Sequence, residues 1–323
     1  MFKNKTSNHK FYINNKSRYT RRRRNKHNMN TDIIISKCNP SLKNKIKDTC
    51  FTKDIIEEIK REYNLYNPGN KIKFKNPNRI INEIKQNTKC NDEHCWLQKL
   101  PHHFKKNVID YLYRPVYPTY WEDNNNGYKN KWLSNFDILA VLKQYEDANK
   151  NFKFIGPTFI DFDEKYEGKC VENELCHFNI NNYIDKNINK IGIIFNLDKH
   201  TQSGSHWVSL FIDLNENFIF YFNSTGQKTP GEIKILIDRI INQYKTLKKV
   251  QLKYLFNKLE HQQGDTECGM YSLFFIISML TDTIGGDDNK PFDDFTHKIK
   301  LFTNNHISDK EMENLRDKYF IKK

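Results

Sequence analysis

Between residues 190 and 280, β-branched and aromatic runs alternate with helical patterns, and that alternation confines the chain to folds that mix sheet with helix. Residues 191–197, 206–212 and 218–222 read as strands. Leu214-Asn215-Glu216-Asn217 is a short polar turn, so the second and third of these strands form a hairpin. A helix over 231–247 follows, with Ile233, Leu236, Ile237, Ile240 and Ile241 on one face. Next come a strand around 252–256 and an apolar helix over 268–280. Upstream, Ser134 with Asp137 three residues later suits a helix start, and Phe136, Leu139, Leu142 and Tyr145 continue it at helical spacing. The expectation for residues 126–323 is an α+β domain, a central mixed β-sheet flanked by helices with a cysteine at one helix N-terminus. Only 37% of residues are hydrophobic but 14% are aromatic, so rings must carry much of the burial.

Residues 31–125 are expected to form a mostly helical N-terminal region. Ile55, Ile56, Ile59 and Tyr63 make a helical stripe, and Asn76-Pro77 opens a second helix carrying Ile80, Ile81 and Ile84. Pro115, Pro118 and the Asp123-Asn124-Asn125-Asn126-Gly127 cluster break the pattern and mark a domain boundary. Residues 1–30 hold ten Lys or Arg and no acid, with nothing to bury, and are expected to be a disordered basic tail. Most of the +14 net charge is there, because the remaining residues carry 43 bases against 39 acids. The run Arg21-Arg22-Arg23-Arg24 suits nucleic acid, an acidic partner or a nuclear import receptor; a solvated tail without specific use is the competing reading. The polar N-terminus and the lack of any run near ~18 apolar residues predict neither a secretory signal nor a membrane span.

The seven cysteines are odd in number and irregularly spaced, which predicts free thiols in a reducing compartment. Cys90 and Cys95 with His94, and Cys170 and Cys176 with His177, are loose pairs without the short-spaced knuckles of a structural zinc site, so no metal or cofactor is expected. Gly285-Gly286-Asp287 reads as a turn, although it resembles a Gly-Gly-Xaa cleavage site.

Two islands carry chemistry. One places His206 at the head of an apolar strand, followed by Trp207; the other turns from polar loop to apolar helix at Cys268. Each has an ordinary structural reading, a satisfied core histidine and a small buried thiol. However, a cysteine in the first helical turn meets unpaired N–H groups and the positive dipole end, which favour the thiolate and lower its pKa. Gly269 leaves the following backbone N–H open to a developing oxyanion. Hairpin pairing about Asn215-Glu216 sets Val208 opposite Asn223, so Asn223 falls at the open strand end beside His206, where its amide oxygen can orient the imidazole. Asp213, seven residues from His206, lies on the opposite face near the turn and is the weaker rival.

His-Trp on a strand, Asn at the end of the next, and Gln six residues before Cys-Gly resemble the SUMO-protease and adenain class of cysteine peptidases. Within that class the pattern is similar to the polyprotein-processing proteases of African swine fever virus and giant viruses. The resemblance rests on Gly204-x-His206-Trp207-Val208, on Tyr221-Phe222-Asn223-Ser224-Thr225-Gly226, and on His261-Gln262 followed by Thr266-Glu267-Cys268-Gly269. It is weaker at Trp132-Leu133-Ser134-Asn135 and faint before residue 125. It implies Cys268 as nucleophile, His206 as general base and acid, Asn223 as orienter and Gln262 as side-chain donor to the oxyanion hole, alongside Cys268 itself. Trp132 and Trp207 match the tryptophans that clamp a narrow Gly-Gly tunnel. Most of the class has Asp where this chain has Asn223, which removes a charge that would stabilise the imidazolium.

The implied activity is endopeptidase cleavage of viral structural polyproteins at Gly-Gly-Xaa sites during maturation, in the virion or the viral factory of the host cytoplasm. The rival within the same chemistry is an isopeptidase that removes ubiquitin-like modifiers. The non-enzymatic rival is a core protein that binds nucleic acid through residues 1–30.

Overall fold

The computed structural model describes residues 37–42, 46, 49–90, 93–100, 112–123, 127–128 and 131–322; the basic tail, residues 1–30, lies outside them. The N-terminal region contains α1 (Lys53–Tyr66) and α2 (Pro77–Thr88). The Thr52 and Asn76 side chains cap these helices, and Pro77 occupies the first turn, where its missing N–H costs nothing. Ile56, Ile59 and Tyr63 of α1 pack with Ile80, Ile81 and Ile84 of α2 in a core of their own, which also takes in Phe51 and Trp96. The helical stripes read from the sequence are the faces that meet.

The larger unit is built on a five-stranded sheet of β1 (Phe152–Phe159), β2 (Lys190–Asn196), β3 (Trp207–Asp213), β4 (Phe218–Phe222) and β5 (Lys253–Phe256), in that spatial order. β1 and β2 are parallel, β2–β3 and β3–β4 antiparallel, and β4 and β5 parallel, so the sheet is mixed as expected. β1 was not legible in the sequence. Pro157 interrupts its apolar run, and the pairing with β2 shifts register between Ile155 and Thr158.

Side-chain alternation divides the sheet between two cores. Phe218, Phe220 and Phe222 of β4 point to one face, with Trp207 and Phe211 of β3. Ile219 and Tyr221, with Val208, Leu210 and Ile212, point to the other. Helix α4 (Gly231–Lys248) covers the second face with Ile233, Leu236, Ile237 and Ile240. Helix α5 (Cys268–Thr281) runs under the first, and every residue from Cys268 to Leu280 is buried. A helix apolar on all sides has to be enclosed, and three further helices enclose it. They are α3 (Asn135–Ala148), α6 (Phe295–Thr303) and α7 (Asp309–Tyr319). Phe275 of α5 stacks on Phe222 at 4.8 Å between centroids. Losing such a buried ring costs about 3–5 kcal/mol.

Ser134 and Asp137 form the expected capping box of α3, but the stripe is displaced. Ile138, Val141, Leu142 and Tyr145 are buried, while Phe136 and Leu139 are exposed, because α3 turns its Ile138 edge to α5. The core of this unit also takes in Tyr117 and Trp121, a few residues before the boundary expected at 125.

Six of the seven cysteines are paired, Cys38 with Cys50, Cys90 with Cys95 and Cys170 with Cys176, which corrects the expectation of free thiols throughout. The physical reason is proximity. Partners lie 12, 5 and 6 residues apart, so short local loops bring each pair together despite the irregular overall spacing. Only Cys268 is free. The Gly285-Gly286 turn is held against the core: Gly285 is buried, the Tyr319 hydroxyl donates to its carbonyl, and a Cβ there would stand 3.0 Å from the Phe274 ring. No helix among the described residues is long and apolar enough to cross a membrane.

Candidate active site

Cys268 is the first residue of α5 and is buried. Burial pushes its thiol pKa up, while the backbone N–H groups of Trp207, Gly269 and Cys268 itself act in the opposite direction. The sequence reading expected the helix terminus to lower this pKa. The sign is reversed because desolvation of the thiolate outweighs the N–H groups that favour it. The Trp207 N–H, the first of these donors, links the head of the strand that follows His206 to the head of α5.

His206 ends a loop that is fixed by its own side chains. The Asn196 carboxamide oxygen accepts from the N–H groups of Asp198 and Ser205, and the Asp198 carboxylate accepts from the Gly204 N–H and the Ser205 hydroxyl. Gly204 has φ +92°, and a Cβ there would stand 2.9 Å from the Asn196 amide nitrogen, so only glycine fits without displacement. The Leu197 N–H then donates to the His206 carbonyl at 2.9 Å and sets the head of β3.

β3 and β4 pair Ser209 with Phe222 and Asp213 with Phe218, and continuing that register sets Val208 opposite Asn223. His206 Nε2 lies 2.8 Å from Asn223 Oδ1. The Thr225 N–H and hydroxyl both donate to this same oxygen, at 3.0 and 2.9 Å, which identifies it as oxygen rather than nitrogen. His206 Nε2 must therefore carry the proton. In the neutral ring Nδ1 is then the acceptor, so His206 is a base by its tautomer. Burial lowers the His206 pKa, against a smaller rise from the Asn223 bond. Asp213 serves elsewhere. Its Oδ1 accepts from the Asn215 and Glu216 N–H groups and closes the hairpin turn.

Gln262 lies in the loop between β5 and α5. Its Oε1 accepts from the Ser224 hydroxyl at 2.7 Å, and Nε2 donates to the Gly264 carbonyl at 2.6 Å. Trp207 is buried, its indole N–H donating to the Leu133 carbonyl at 3.0 Å, whereas Trp132, the residue before Leu133, is exposed. Leu133 packs so closely on Gly269 that a Cβ there would come within 2.9 Å of it. Glycine after the cysteine thus brings the Trp132-Leu133 segment onto the head of α5. The fold gathers Cys268, His206, Asn223 and Trp207 at adjoining element ends, with Gln262 joined to them through Ser224.

The Ulp1 protease family, C-terminal catalytic domain, matches residues 143–323. The chain belongs to the Ulp1 protease family. A thiol protease of Acanthamoeba polyphaga mimivirus is 30% identical over 310 residues, 88% of this chain and 92% of that protein. The SUMO-1 cysteine protease of African swine fever virus is 30% identical over 208 residues, 61% of this chain and 69% of that protein. The crystal structure of the African swine fever virus protease superposes with a TM-score of 0.59 at 20% identity, over 89% of this chain and 96% of that one. This Ulp1-family chain is a cysteine peptidase.

Sequence reasoning missed three side chains around the site of this Ulp1-family peptidase. Asn257, fully buried after β5, accepts from the Asn223 N–H through Oδ1 and donates to the Asn223 carbonyl through Nδ2, clamping the residue that holds the histidine. The parallel pairing of Tyr221 with Phe256 brings it there, and no local pattern announces a parallel register. Arg316 of α7 donates to the carboxylate of Glu267, immediately before Cys268, and stacks 4.4 Å over Trp121. His261 has both ring nitrogens engaged, Nε2 with the Phe302 carbonyl and Nδ1 with the Ile307 N–H. It ties the Gln262 loop to the α6–α7 connection.

Proposed function

We propose that the protein is an endopeptidase that cuts viral structural polyproteins after Gly-Gly, with Cys268 as nucleophile, His206 as base, Asn223 as orienter and Gln262 with the Cys268 N–H as oxyanion donors. The observation that carries the chemistry is the forced tautomer. With its Nε2 proton committed to Asn223, His206 offers Nδ1 to the thiol of Cys268. Nδ1 takes the thiol proton as Sγ attacks the scissile carbonyl, and the oxyanion accepts from the Cys268 N–H and Gln262 Nε2. The imidazolium then protonates the departing amine, leaving a thioester. Water attacks the thioester, giving its proton to His206, and the thiolate leaves. On the same reading Trp132 and Trp207 clamp the residues before the scissile bond and admit only ones as narrow as glycine.

The viral polyprotein reading is supported by the extent of the mimivirus match, which runs through the N-terminal region as well as the catalytic domain. On this reading the activity belongs to the virion or the viral factory of the host cytoplasm, and residues 1–30 are proposed to bind nucleic acid. The name of the African swine fever virus relative favours a second reading, cleavage after the C-terminal Gly-Gly of a ubiquitin-like protein. A Gly-Gly-Xaa peptide series and a SUMO C-terminal fluorogenic probe, assayed side by side with Cys268→Ala as blank, separate the two. Faster turnover of the probe would reverse the assignment, and turnover by Cys268→Ala would move the nucleophile elsewhere.

A further inference from the structure

Gln262 can act as an oxyanion donor only if its side-chain amide faces the right way. The two orientations of a carboxamide differ by a half turn that exchanges oxygen and nitrogen with little change in shape. Ser224 stands against one end of that amide. It is 1% exposed, its hydroxyl lies 2.7 Å from Gln262 Oε1, and its carbonyl accepts from the backbone N–H groups of His261 and Gln262 at 2.7 and 3.0 Å. At the other end Nε2 donates to the Gly264 carbonyl, which can only accept. Turning the amide over would set two carbonyl oxygens against each other. With the amide as it stands, one Nε2 proton is held by Gly264 and the second has no partner among the described residues.

We infer that Ser224 is a positioning residue of the oxyanion hole, holding the Gln262 amide by its oxygen so that the second Nε2 proton is presented to the reacting carbonyl. Ser224 also follows Asn223 directly, so one dipeptide sets both the imidazole and the oxyanion donor: Asn223 through its side chain, Ser224 through its hydroxyl and carbonyl. The inference rests on Gln262 acting as an oxyanion donor.

The test uses two reactions of the full-length protein. Peptide hydrolysis passes through an oxyanion, whereas alkylation of Cys268 by iodoacetamide needs the thiol and the imidazole but forms no oxyanion. Ser224→Ala is expected to lower kcat about tenfold with KM unchanged, the scale of one neutral hydrogen bond, while the alkylation rate stays at the wild-type value. Ser224→Cys, close in size with a weaker donor, is expected to fall between the two and serves if the alanine variant does not fold. In a Gln262→Ala background, Ser224→Ala should cost nothing further. A parallel loss in alkylation, an unchanged kcat, or full additivity with Gln262→Ala would each overturn the inference. Full turnover by Gln262→Ala alone would instead remove the oxyanion reading on which it rests.

Discussion

The site depends on one proton, the Nε2 proton of His206, and two groups decide what that proton does. Burial lowers the His206 pKa and the Asn223 bond partly restores it. The proposed base role of His206 needs the neutral ring, so activity is expected to persist as pH falls until it drops through this lowered value. The acid limb of kcat/KM is therefore expected below the ordinary imidazole value of about 6.5. Asn223→Ala removes the contribution that raises the pKa, so it should move the limb further down and reduce turnover. Asn223→Asp adds a charge that favours the imidazolium, so it should move the limb up while the Thr225 donors keep the carboxylate in place. A pH–rate series on the three proteins checks this, and an upward shift in Asn223→Ala would contradict the assignment. At the same scale, Gln262→Ala should lower kcat by about 10²–10³ with little change in KM. Gln263→Ala should stay near wild type, since Gln263 is exposed and donates to Asp309 through its backbone N–H. The reverse pattern would shift the loop register by one residue.

Helix α5 carries Cys268, the proposed nucleophile, on its first residue, and the Glu267–Arg316 pair ties that end of the helix to α7. Both side chains are buried, with Arg316 Nη2 2.9 Å from Glu267 Oε1. The pair joins the C-terminal helix to the residue before Cys268. Burial raises the Glu267 pKa and Arg316 opposes that rise, while the Glu267 charge itself raises the thiol pKa. Removing one partner of a buried pair leaves the other charge unpaired, at a cost of about 3–5 kcal/mol. Arg316→Ala is expected to lose stability on this scale in denaturant melts, and Glu267→Gln in the same protein should recover part of it. If the double variant were less stable than Arg316→Ala, the unpaired carboxylate would not be the source of the loss.

Across the whole molecule, thiol chemistry is confined to one residue. With six cysteines paired and Cys268 free, iodoacetamide should add one label to the native protein and seven after reduction and unfolding. More than one label on the native protein would mean that some of the pairs are open in solution. Most of the net charge is also concentrated in one segment, with ten bases and no acid in residues 1–30. Deleting them should leave peptide turnover intact and abolish a steeply salt-dependent affinity for DNA, since neutralised phosphates release counterions. Equal DNA binding by the truncated protein would remove the proposed role of the tail. Lost turnover would make the tail part of the enzyme.

What the sequence alone determined is whatever short range decides. The hairpin turn and its register put Asn223 beside His206, because strand pairing counts residues from a turn. The polar-to-apolar switch at Cys268 marked the head of a buried helix, and the Ser134–Asp137 capping box marked another. Tertiary structure alone decided the rest, because those features depend on what covers them. The sign of the Cys268 pKa follows from the burial of the thiol among elements far apart in sequence, which outweighs the helix terminus. Helical spacing grouped Phe136 and Leu139 with Leu142 and Tyr145, but which edge of a helix is buried depends on its neighbours. Asn257 and Arg316 reach the site from 34 and 49 residues beyond the groups they hold, through a parallel strand and a packed helix that no local pattern encodes.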